Sequence, residues 1–183
     1  MTVTVEPSIF SIVNYDASEI AEVAKEMLKF LGMSSKNLTI EVDETVAMSR
    51  ITATAGDPIF VHVMSSAFEN LKSPLSFSAD NARLSLGRGL LRVRDRQSGN
   101  FDDAPLDDAL SIVESAVWET YCVGRLVKLG LKVHKQRWHY NFRNRHGFND
   151  ATDRQFEQIW NAENLDWSQL MEISNNCITK LTQ

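Results

Sequence analysis

Between Asp16 and Gly32 the apolar residues Ile20, Val23, Ala24, Met27, Leu28 and Leu31 recur at helical spacing, with polar residues on the opposite face. Asp16 can cap this helix, Glu19 stands three residues on as in a capping box, and Gly32 can end it. A short extended stretch, "IFSIVNY", precedes it. The period then changes from 3.6 to 2. In "NLTIEVDE", Leu38, Ile40 and Val42 alternate with Thr39, Glu41 and Asp43, which predicts a strand with one wet face. "TVAMSRITAT" (45–54) reads as its partner strand. "GDPIFVHV" (56–63) reads as a third strand or as a helix opening at Asp57-Pro58.

From Ser65 to Gly99 the pattern weakens into short apolar pieces among Ser, Gly and Pro. Within it "GLLRVRDR" (89–96) alternates Leu91, Val93 and Asp95 against Arg92, Arg94 and Arg96, which predicts a strand whose arginines line one sheet face. "SGNFDDAP" is a turn-rich junction with acids where a following helix dipole favours them. Pro105 to Leu129 then predicts a helix about 37 Å long. Leu106, Leu110, Val113, Val117, Tyr121 and Gly124 form one face, with Ala109, Ile112, Ala116, Val123 and Val127 beside it. An apolar arc of that width implies burial on more than one side, so this helix is expected to be central, ending at Gly130. Two further amphipathic helices are predicted in "NDATDRQFEQIW" and "LDWSQLMEISNNCITKL", capped near Asn149 or Asp150 and near Asp166. The fold class is therefore α+β: an antiparallel sheet from the N-terminal half on a long central helix, with C-terminal helices, in one domain spanning 1–183.

Composition adds little until charge is mapped along the chain. Residues are 43% hydrophobic and 23% charged, as in an ordinary globular protein. No apolar run approaches the roughly 18 residues of a membrane span. The start has no basic region leading into a long hydrophobic stretch, and a cytoplasmic setting is expected. Cys122 and Cys177 both lie in apolar patterns and are expected to be reduced core thiols. The net charge is −5, yet Arg83 to Arg96 and Arg125 to Arg145 together hold 12 of the 19 Lys and Arg residues and 1 of the 24 acids. The remaining 7 bases against 23 acids leave a formal −16 elsewhere. Such segregation makes a local anion-attracting field or reflects internal pairing.

The motifs of common chemistries are missing. The long helix has no HExxH, and there is no GxxxxGK[ST] loop, GxSxG elbow or GxGxxG turn. Cys122 sits in an apolar face unsuited to a thiolate. Glu114 and Glu119 lie among apolar neighbours, where a carboxylate must be paired or have its pKa raised. They are candidate acid-base groups, or rim residues paired with arginine. His134, His139 and His146 are spaced five and seven apart, which matches neither two ligands on one helix face nor one side of a strand. No metal and no cofactor are expected. His139 and His146 remain candidate proton carriers.

The segment "VHKQRWHYNFRNRHGF" (133–148) carries Lys135, Arg137, Arg143 and Arg145, three histidines, four aromatics and no acid. If extended, it places Trp138, Tyr140 and Phe142 on one face and the cations on the other. If helical, Trp138 and Phe142 share a face. Either reading makes the rings core anchors and leaves the cations available. Arg92, Arg94, Arg137, Arg143 and Arg145 are the candidate ligand-binding residues, suited to carboxylate or phosphate through bidentate hydrogen bonds. The expected function is binding of an acidic protein partner or small anion through this basic surface, with homo-oligomerisation as one form of it. An acid-base hydrolase or transferase using Glu114 or Glu119 with His139 or His146 is the enzyme alternative. Single-stranded nucleic-acid binding is disfavoured by the pI of 5.4 and the lack of a known signature.

Overall fold

The computed structural model describes residues 1–178, with side chains through Asn176. Cys177 and the last residues of the final expected helix therefore lie outside the described side chains. The fold is α+β. Its contacts divide into two compact units, Met1–Arg94 and Asp95 onward, and the division falls inside one helix.

The first unit is built on a four-stranded sheet. Strands β1 (Val3–Glu6), β2 (Leu38–Asp43), β3 (Ile51–Thr54) and β4 (Ile59–Met64) stand in the order β1-β2-β4-β3. β1 runs parallel to β2, β2 parallel to β4, and only β3 antiparallel to β4. The expected antiparallel sheet is thus corrected to a mixed one. Two connections cause it: the short alternation Val3, Val5 supplies an edge strand beside which helix α1 (Ala17–Phe30) brings the chain back to begin β2, and β3, expected to partner β2, lies outside β4, so that β4 takes the place next to β2. Asp57-Pro58 leads into strand β4, not into a helix. In α1 the Asp16 carboxylate accepts from the Ser18 N–H at 2.7 Å, and Gly32 takes φ of +71° at the exit. Ile20, Val23, Ala24, Met27 and Leu28 are buried, as the spacing predicts.

Alternation along every strand buries Val5, Leu38, Ile40, Val42, Ile51, Ala53, Ile59, Val61 and Val63. Each fully buried aliphatic contributes roughly 1.5–3 kcal/mol. A short 3-10 turn (Ser65–Ala67) and a hairpin of β5 (Glu69–Asn70) and β6 (Ser73–Phe77) follow. The Tyr15 hydroxyl donates to the Ser65 carbonyl at 2.7 Å there.

The strand expected over 89–96 does not form. Those residues end helix α2 (Ala79–Gln97), in which Ala82, Leu86, Leu90 and Val93 are fully buried at helical spacing. Gly89 faces β3, and a Cβ added there would meet the Ala53 Cβ at 3.4 Å, so its absence lets the helix lie close to the sheet. The arginines consequently do not line a sheet face. Arg88 and Arg92 are buried, and Arg94 is half-buried with Nη1 donating to the Leu31 carbonyl at 3.4 Å. Arg83 pairs with Glu26 and Asp80.

The second unit is helical. Helix α3 (Ile112–Lys128) begins seven residues later than the sequence suggested, because Ser111 and Glu114 form a capping box. The preceding Pro105–Leu110 stretch forms turns, with Leu106 exposed. α3 is buried through Ala116, Val117, Trp118, Thr120, Tyr121, Cys122, Val123, Gly124 and Leu126, more than one face's worth. It contacts α4 (Lys135–His146), α5 (Asp150–Asn161) and α6 (Trp167–Ile178), and is the central helix of its unit. None of the described helices is long and apolar enough to cross a membrane.

Candidate functional site

The basic-aromatic segment resolves as helix α4, and the helical period decides which side chains it presents. Trp138, Phe142 and His146, one turn apart, are buried. The His146 ring stacks on Phe142 with centroids 3.9 Å apart. Its Nδ1 lies 3.0 Å from the Phe142 carbonyl, and its Nε2 lies 3.0 Å from the Ser174 hydroxyl of α6. Gly147, with φ of +96°, stops the helix, and its N–H donates to the Arg143 carbonyl.

Burial pushes the His146 imidazole below its ordinary pKa, although the hydrogen bond to Phe142 opposes this. The folded protein therefore binds a proton at His146 less readily than the unfolded chain, whose histidine titrates near pH 6.5. Its stabilising contribution is present above that pH and is lost as pH falls towards the depressed folded value. Urea unfolding should show lower stability at about pH 5.5 than at about pH 7.5, and His146→Phe should flatten that difference. Equal pH dependence in both proteins would exclude His146 as its source.

The flank of α4 facing α5 is internally neutralised. Asp153 takes the Arg143 guanidinium through both oxygens, with Nε at 2.6 Å, and lies 2.7 Å from His139 Nε2. Arg143, then His139, hold its carboxyl below the usual carboxylate range. The His139 ring stacks on Phe156 at 4.6 Å between centroids, and Lys135 Nζ pairs with Glu157 at 2.7 Å. Nothing in the sequence points to Asp153 and Phe156, because partners on a separate helix leave no spacing signal.

The outer face differs. Arg137, Tyr140, Asn144 and Arg145 are exposed, and Phe148 joins them just past the helix end. Tyr140 and Phe148 are 62% and 61% exposed, yet meet edge to face with centroids 5.8 Å apart, while the Arg143 guanidinium lies 5.8 Å from the Phe148 ring. No described residue forms an ion pair or hydrogen bond with the Arg137 or Arg145 side chain. The surface therefore offers two uncompensated guanidiniums around two exposed rings.

The structure brings Arg137, Arg143, Arg145 and His139 together on α4, with His146 beneath. Tyr140 is exposed, contrary to the reading that buries all three rings. Arg92 and Arg94 belong to α2 in the first unit. Glu114 accepts from the Ser111 N–H at 2.8 Å in the α3 capping box, and Glu119 is half-buried further along α3. The cap had a sequence signal, the Ser-x-x-Glu at 111–114. Among the described residues no group of three His, Cys, Asp or Glu side chains is arranged to hold a metal. A polar cleft of about 260 Å³ lined by Gln155, Gln158, Gln169 and Glu172 lies between α5 and α6. It falls below the roughly 300–1,000 Å³ of small-molecule sites. No family model, curated protein or solved structure matches the chain.

Proposed function

We propose that the protein is an interaction module whose α4 outer face docks an acidic protein segment. The observation that carries this reading is the pairing pattern. Lys135, His139 and Arg143 are matched to acids of α5, whereas Arg137 and Arg145 flank the exposed Tyr140 and Phe148 without a described partner. Exposed aromatic rings beside arginine are the anchors that interfaces favour, and carboxylates supply the complementary charge. An acidic protein fits better than nucleic acid because this face offers only two guanidiniums without a described partner: against the formal −16 elsewhere they can match the few carboxylates of a short segment, but not the charge at every residue of a polyphosphate. A cytoplasmic setting suits this reading, with the buried Cys122 kept as a thiol.

Fluorescence anisotropy with a labelled oligoglutamate peptide at low salt tests it. The native chain should bind, and the double variant Arg137→Glu, Arg145→Glu should bind at least about tenfold more weakly, a loss of about 1.4 kcal/mol. Equal binding by both proteins, or tighter binding of single-stranded RNA at the same salt, would overturn the proposal.

A further inference from the structure

The first unit leaves one face of its sheet uncovered. α2 closes against one face of β3 at Gly89, and α1 packs beside β1. On the opposite face the strand register sets Thr4, Thr39, Phe60 and Thr54 in one row and Glu6, Glu41, His62 and Thr52 in the next, with Asp43 beside Met64. Thr4, Glu6, Glu41, Thr54 and Phe60 are exposed, Phe60 by 41%. Sheets whose core pairings are parallel, as β1-β2-β4 are here, ordinarily have both faces covered. This face is also acidic. Glu6 and Glu41 are direct cross-strand neighbours of like charge, an arrangement that is itself unfavourable, and the one basic group in the rows is His62, 3.6 Å from Glu41.

We infer that this open sheet face docks the α4 outer face of a second copy of the chain. The assignment rests on the acidic-partner reading above and names the partner. Charge selects the occupant: Arg137 and Arg145 meet Glu6, Glu41 and Asp43, while Tyr140 and Phe148 meet Phe60 and the threonine row. Size agrees, since a 12-residue helix is about 18 Å long and four strands at about 4.8 Å spacing make a platform about 14 Å across. Because the two patches differ, each association leaves one free patch of each kind, and copies join head to tail.

That asymmetry gives a specific test by analytical ultracentrifugation, with circular dichroism confirming that each variant is folded. The native protein should show a mass rising with concentration from 20.7 kDa to about twice that or more. Glu41→Lys alone, and Arg137→Glu with Arg145→Glu alone, should each stay monomeric. Mixed together they should form a 1:1 complex, because the native helix of the first meets the native sheet of the second. A monomeric native protein, variants that still self-associate, or a mixture that remains monomeric would each overturn the inference. If the native chain is monomeric yet oligoglutamate still binds through Arg137 and Arg145, self-docking falls and the acidic-partner reading stands. If that peptide fails to bind as well, both fall.

Discussion

Replacing Asp95 by alanine should lower the unfolding free energy by about 3–5 kcal/mol, a large fraction of the 5–15 kcal/mol typical of a domain. Asp95 is buried near the end of α2 and accepts three hydrogen bonds. Two come from the Arg125 guanidinium, each at 2.6 Å, and one from the Trp118 indole N–H at 2.9 Å. Arg125 is only 11% exposed and lies 3.8 Å from the centre of the Tyr121 ring. Burial alone would lower its pKa, but the Asp95 carboxylate more than offsets this and raises it. Tyr121 in turn donates to the Glu163 carbonyl and accepts from the Leu165 N–H, so the pair is tied to the α5–α6 connection. Removing the carboxylate strands a buried cation, and that stranded charge, not the worth of the pair itself, sets the size of the loss. Asp95→Asn, which keeps an acceptor for Trp118, should lose less. Asp95→Ala with Arg125→Met should recover part of the loss in a double-mutant cycle. Urea titration reads all three, and a loss below about 1 kcal/mol for Asp95→Ala would show that water reaches the guanidinium.

The same neighbourhood shows why some elements were legible in the sequence and others were not. α1 was clear because Asp16, its apolar stripe and Gly32 all agree, and β2 because its alternation is complete. α2 does not read as a helix, because Gly87 and Gly89 interrupt it and Arg92, Arg94 and Arg96 imitate a strand's period of two. Its true face, Ala82, Leu86, Leu90 and Val93, has a helical spacing but is flanked by the buried polar residues Ser85, Arg88 and Arg92. β1 carries almost no signal, because two alternating valines are too few to announce a strand. For α4, the third member of the buried stripe is His146, and a histidine is not counted as core until its two nitrogens are seen to be satisfied. The candidate cations were visible, but their division into paired and unpaired depends on Asp153 and Glu157, which reach them only through the packing of α5 on α4.

That packing depends in turn on Gly124, and alanine there should destabilise the protein even though alanine is the better helix former. In an open helix Gly→Ala gains about 1 kcal/mol. Here a Cβ would stand 2.2 Å from the Trp160 carbonyl oxygen and 2.9 Å from its carbon, and both are backbone atoms of α5 that cannot rotate away. Overpacking of this kind costs about 1–3 kcal/mol or more. A net loss of about 2 kcal/mol is expected for Gly124→Ala and a larger one for Gly124→Val, measured by urea unfolding. The strain would also move α5. Phe156 stacks on His139 and meets Phe142, Trp160 lies 5.6 Å from Lys135 Nζ, and Asp153 holds Arg143 from the same helix. Pushing α5 away loosens the clamp that separates paired from unpaired cations on α4, so Gly124→Ala should also release Arg143 and alter oligoglutamate affinity. If Gly124→Ala instead stabilises the protein, α5 does not approach α3 this closely, and the pairing of Arg143 with Asp153 must be held by the α4–α5 contacts alone.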